Sequence, residues 1–155
     1  MTSKKMNSYV RRGLLVLGVV LVLSQFLQPD RTAPKDDPVL DVVSLTAASD
    51  TVADLLHAAC YDCHGNTTTY PWYSYVTPVN FWLQQHVNEG REELNLSEWG
   101  SHKEKWQRHK AKEAVEMLEE GSMPPANYTW LHQEAVITSE ERRVLIAFFQ
   151  ELRAE

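Results

Sequence analysis

Two kinds of residue are scarce in this 155-residue sequence: it has two cysteines in all, and few basic side chains beyond its start. It also lacks internal repeats, low-complexity tracts and any sustained strand alternation. Each absence excludes something. Two cysteines allow one bridge or one paired site and no more. Residues 32–155 carry 10 Lys/Arg against 20 Asp/Glu, a formal charge of −10, which repels nucleic acid and anionic lipid and favours a partner with a basic patch. DNA and RNA are set aside as ligands. Without strand patterning the expected fold class is all-α, and 43% hydrophobic residues with five Trp suffice for the core of one domain.

The scarce basic charge is concentrated at the start. "KKMNSYVRR" (Lys4, Lys5, Arg11 and Arg12 within residues 1–12) leads into "GLLVLGVVLVLSQFL", residues 13–27, which contains no charge. This pattern predicts a membrane-targeting element, a signal anchor or signal peptide over 13–28. Fifteen helical residues reach about 22 Å, short of a hydrocarbon core of about 30 Å. No A-x-A-like cleavage site follows, which favours an uncleaved anchor with Arg11 and Arg12 snorkelling and the N-terminus inside. Either form exports the remainder. Residues 29–45, "PDRTAPKDDPVLDVVSL", mix prolines with charges and read as an extended tether, with the folded domain at 46–155.

Within that domain four helices are expected. The first starts from Ser49 as N-cap and turns Val52, Leu55, Leu56 and Ala59 to one face. The second follows Thr77 with Pro78 at its first position and a stripe of Val79, Trp82, Leu83, Val87 and Leu94. The third covers about 103–120, closed by Gly121, with Trp106, Val115 and Leu118 inward. The fourth opens on a Thr138–Glu141 capping box and carries Val144, Leu145, Phe148 and Leu152.

Both cysteines fall in "CYDCH", residues 60–64. Two thiols three residues apart at a helix end can each add to one vinyl group of a haem, and the next residue, His64, then presents an imidazole to the iron. Three rivals fit less well. A redox dithiol wants a βαβ context that is not visible. A zinc site needs two further ligands at a recognisable spacing. A disulfide closing so small a loop adds little stability and leaves His64 unexplained.

A second axial ligand must come from elsewhere. Met123, in the Gly/Pro loop "EEGSMPPANYTW", offers a thioether that a helix interior would not place there, and thioether ligation raises the potential. Met6 precedes the membrane element, and Met117 reads as core or helix surface. His86, one turn after Trp82, reads as a core histidine, while His57, His102, His109 and His132 read as solvated. The run "TTTYPWYSYVTP", with Tyr70, Trp72, Tyr73 and Tyr75, is expected to pack on the macrocycle and exclude water.

C-x-x-C-H at 60–64, P-W-Y-S at 71–74, E-G-R at 89–91, L-N-x-S-x-W at 94–99 and M-P-P at 123–125 together resemble the bacterial haem-binding domain family of small c-type cytochromes. The resemblance covers about residues 46–152. It implies a cytochrome c-like helical domain around one covalent haem c, attached at Cys60 and Cys63 and ligated by His64 and Met123. The expected role is single-electron transfer by a carrier, not an enzyme, on the periplasmic side of the bacterial inner membrane. The alternative is a haem with an open distal site, acting as gas sensor or peroxidase.

Overall fold

The structure is a computed structural model that describes residues 7–154; Lys4, Lys5 and Met6 of the basic start lie outside the described residues. Those residues are all helical, with no strand among them. The helices are α1 (Ser8–Ser24), α2 (Val42–Leu45), α3 (Asp50–Ala59), α4 (Tyr61–His64), α5 (Val79–Glu93), α6 (Glu104–Glu120), α7 (Ala126–Thr129) and α8 (Ser139–Ala154), with three 3-10 segments between them. The four predicted domain helices correspond to α3, α5, α6 and α8. The single-turn helices α2, α4 and α7 are too short to show a period in sequence.

Their ends follow from local chemistry. Ser49 Oγ accepts from Val52 N at the start of α3. At the start of α8, Glu141 N donates to Thr138 Oγ1 and Thr138 N donates to Glu141 Oε2 at 2.7 Å, which closes the capping box. Gly121 ends α6 in the left-handed region at φ 72°, where a side chain would be strained. Ser122 N then reaches Met117 O and Gly121 N reaches Leu118 O, the paired bonds of a Schellman motif.

Contacts divide the described chain into two units: one takes the residues up to Thr32 together with Tyr70–His86, and the other Ala33–Thr69 with Val87 onward. The second unit holds the apolar core. Helices α6 and α8 form its most extensive pair, with Ala111, Val115 and Leu118 against Leu145, Phe148, Phe149 and Leu152. Part of the expected tether joins this core: Val42 is fully buried with Val43 packed beside it, and Gly100 N donates to Leu40 O. Asp41 explains the change. It caps α2 through Val43 N and accepts the Tyr61 hydroxyl at 2.7 Å, so a charge that reads as solvated in sequence is a structural acceptor.

In the first unit α1 takes in residues 13–24 of the uncharged segment together with Arg11 and Arg12, and no residue along it is buried. At 17 residues it reaches roughly 26 Å. No helix among the described residues is long and apolar enough to cross a membrane, so the expected anchor finds no spanning helix here. The stripe predicted for α5 also changes: Val87 is buried, whereas Val79 and Trp82 are exposed and Asn80 and Gln84 are buried instead. Hydrogen bonds outweigh hydropathy at these positions, because Asn80 Nδ2 donates to Leu27 O and the Tyr70 hydroxyl donates to Gln84 Oε1.

The packing of α8 on α6 generates a direct test. Leu145 is fully buried between them. Leu145→Ala is expected to cost about 2–5 kcal/mol, read as a lower urea midpoint at unchanged slope. A cost within experimental error of zero would contradict the core described here.

Candidate functional site

The C-x-x-C-H segment sits where α3 stops. Cys60 leaves helical geometry at φ −125°, and α4 restarts the chain at once so that His64 lies one turn on. His64 Nδ1 lies 2.9 Å from Gly90 O, in the last turn of α5, and 2.9 Å from Leu94 O, just past its end; Gly90 O also accepts from Leu94 N at 2.9 Å. Carbonyls only accept, so the Nδ1 proton is shared between them and Nε2 is left as the unprotonated nitrogen. A backbone acceptor on one ring nitrogen is the usual way in which the tautomer and direction of a metal-ligating histidine are fixed. Burial lowers the imidazole's pKa from its ordinary value, opposed by the bonds to Leu94 and Gly90, so the ring is neutral at neutral pH.

His64, Cys60 and Met123 border one cavity of about 350 Å³ in the second unit. Leu94, Leu96, Leu118 and Phe149 supply apolar wall, and Glu93, Lys110, Glu113 and Glu116 form a charged edge. Lys110 Nζ bridges Glu93 at 3.0 Å and Glu113 at 2.8 Å across that edge. Met117 lines the cavity too, contrary to the expectation that it is ordinary core or helix surface. The thiols are not activated. Burial, then Cys63, pushes Cys60 up to about 12; burial and Asp62 push Cys63 up to about 11, with Arg91 opposing. No disulfide joins them.

The motifs that flank the site are its scaffold. A Cβ on Gly90 would lie 2.7 Å from Cys63 O, so only glycine lets α5 approach the C-x-x-C-H segment closely enough for its carbonyl to reach His64. Arg91 follows with Nε on Gly65 O at 2.8 Å and Nη2 on Thr68 Oγ1 at 2.9 Å, tying down the chain after the histidine. Asn95 Nδ2 donates to Asn66 Oδ1 at 2.7 Å, and Asn66 N donates to Ser97 Oγ at 3.1 Å. E-G-R and L-N-x-S-x-W therefore both hold residues 63–68.

Two side chains that sequence reasoning missed hold the Met123 loop. Arg142 Nη1 donates to Leu118 O at 2.7 Å and to Met123 O at 3.2 Å, joining the end of α6 to the loop. The Tyr128 hydroxyl donates to Asp62 Oδ2 at 2.8 Å, linking the loop's exit to the C-x-x-C-H segment itself. Burial and the Asp62 carboxylate both raise the Tyr128 pKa, which keeps the donor protonated. No sequence signal within the motifs points to Arg142, because its role depends on the packing of α8 on α6.

Other candidates lie elsewhere. His86 is exposed, not core, with Nδ1 2.8 Å from Trp82 O. His132 is buried, not solvated, stacked on Tyr128 and paired with Glu134 at 2.9 Å. His57 rests on Tyr61 and His102 on Trp106, and His109 pairs with Glu113. Tyr70, Trp72, Tyr73 and Tyr75 of the aromatic run belong to the first unit, where Trp72 and Tyr75 are exposed.

The donor set fits an iron macrocycle better than a bare ion. Among the described residues no group of three or more His, Cys, Asp or Glu could hold a metal. A neutral imidazole and a thioether at an apolar wall suit a flat apolar ring whose iron needs axial ligands only. Gly90→Ala tests the scaffold: the added methyl must push α5 off Cys63, at a cost of about 1–3 kcal/mol, read by chemical unfolding. Unchanged stability would show that the close approach is not required.

No curated protein and no solved structure matches the chain. The family model described as "Haem-binding domain" matches residues 19–151, which takes in the cavity, the C-x-x-C-H segment and the loop that carries Met123. This chain belongs to the haem-binding domain family.

Proposed function

We propose that the protein is a membrane-tethered, single-haem c-type cytochrome that carries one electron at a time to or from a partner. One observation carries the reading: Cys60, His64 and Met123 border the same apolar cavity, with His64 Nδ1 engaged by carbonyls so that Nε2 is available. In this reading Cys60 and Cys63 hold haem c through thioethers, His64 is the proximal ligand and Met123 the distal one. Haem c supplies reversible one-electron iron chemistry, with ligand type and burial setting its potential. The chain's own residues hold the imidazole in one tautomer and fix the Met123 loop through Arg142 and Tyr128.

Two protein ligands leave no position for substrate, so the proposed role is carrier rather than enzyme. The proposed location is the periplasmic side of the bacterial inner membrane. There α1, an exposed apolar helix with Arg11 and Arg12 near its start, attaches the chain; local thinning and snorkelling accommodate its shortness. A second reading has one observation in its favour. Met123 is 37% exposed, and if it does not ligate, the distal position is open to a gas or peroxide.

A peroxidase-activity stain on a denaturing gel is expected to show haem only when a c-type attachment system is co-expressed; no band would return the cysteines to dithiol chemistry. Met123→Ala is expected to change the ferric and ferrous spectra and to let carbon monoxide bind the reduced protein rapidly. Unchanged spectra, or stoichiometric carbon monoxide binding by the wild type, would favour the open site. With 20 acids against 10 basic residues in 33–155, association with the redox partner should slow as salt rises. Flat association rates from low to high ionic strength would remove the basic-patch partner.

A further inference from the structure

The first unit is built inside out. Its segment Tyr70–His86 has no Asp, Glu, Lys or Arg in 17 residues, yet its apolar side chains do not turn inward. Ser74 and Asn80 are fully buried and Gln84 nearly so, while Trp72 (79%), Tyr75 (55%), Trp82 (50%) and Phe81 (44%) stand exposed. Scattered exposed apolar residues need no explanation, but four aromatics within eleven residues, displaced outward by buried polar groups, do.

This segment is fastened to the foot of α1. Thr77 N donates to Gln25 Oε1 at 2.9 Å, Thr77 Oγ1 to Ser24 O at 3.1 Å, and Asn80 Nδ2 to Leu27 O at 3.0 Å. Gln28 Nε2 donates to Tyr75 O, and Arg31 donates to Ser74 O while its guanidinium lies 4.2 Å from the Tyr70 ring centre and 4.3 Å from that of Tyr75. Helix α1 is thus clamped, and the exposed aromatics belong to the same unit as an apolar helix with no buried residue.

Charge is divided along the same line. Residues 1–32 and 70–86 carry five basic residues and one acid, whereas residues 33–69 and 87–155 carry ten basic and twenty acidic ones. One unit is basic, apolar and aromatic, and the other is acidic.

Resting on the membrane-tether reading, we infer that the exposed aromatic face of 70–86 docks in the headgroup layer of the bilayer that receives α1. Trp and Tyr concentrate at that depth because their rings are apolar and their N–H and O–H groups seek water. Phe26, exposed at the end of α1, and the aromatics of 70–86 extend an apolar surface that the 17-residue helix leaves short. At the other end of α1, the exposed Arg11 and Arg12 match anionic headgroups. The unit is therefore a membrane seat as well as a tether, and residues 24–31 act as a bracket instead of a free linker.

The test uses the full-length haem-loaded protein with vesicles of phosphatidylethanolamine and phosphatidylglycerol, a fraction of the lipid carrying a photoactivatable group at the headgroup. Flotation reads attachment, and mass spectrometry of the cross-linked peptides reads docking. Trp130, 77% exposed in the acidic unit, is the internal reference. The expected result is flotation with label on 70–86 several-fold above the peptide that holds Trp130, lost in Trp72→Ser/Trp82→Ser while the protein still floats and its haem spectrum is unchanged. Flotation with equal label on both peptides would overturn the seat and leave the tether standing. Failure to float would overturn the tether, and the seat with it.

Discussion

The proton on His64 Nδ1 is the point on which the site depends. It is held between the carbonyls of Gly90 and Leu94, and that requires the end of α5 to lie against the C-x-x-C-H segment. The approach requires a glycine at 90, and it leaves loose chain beyond His64 that Arg91, Asn95 and Ser97 then gather in. A buried imidazole with an unsatisfied N–H would carry a desolvation cost of about 1–3 kcal/mol; with a carbonyl acceptor it becomes a neutral ring of fixed tautomer. Motifs thirty residues apart in the chain are parts of one hydrogen-bonded frame.

The opposite side of the cavity is fixed by different means. Met123 stands in a loop whose backbone is held by Arg142 and by the Tyr128–Asp62 pair. Arg142 also satisfies Leu118 O at the end of α6, so the cap of that helix and the placement of the loop share one guanidinium. The Tyr128–Asp62 bond connects the two sides directly, and movement of the loop is therefore felt at the segment that bears His64.

The two units follow opposite rules. In the second, apolar residues from α3, α6 and α8 are buried and acids face water. In the first, polar side chains are buried by backbone and side-chain partners while aromatics face outward. Helix α5 takes part in both, its early residues in the first unit and its last turns in the second, and for that reason one apolar stripe could not describe it.

Much of this was written locally. The caps at Ser49, Gly121 and Thr138, the absence of strand patterning, and the Cys60, Cys63, His64 spacing depend on a few adjacent residues, and the helices, the all-α class and the haem-binding family were legible from them. Met117 at the cavity, the half-buried Asp41 and buried Val42, the outward Trp82 and the role of Arg142 were not. Each of these depends on which distant backbone group lies within hydrogen-bond reach, or on which surface is covered. Residue spacing along one chain determines what a side chain offers; only the tertiary packing, which sets the backbone groups and surfaces each side chain meets, decided which of those offers were taken up.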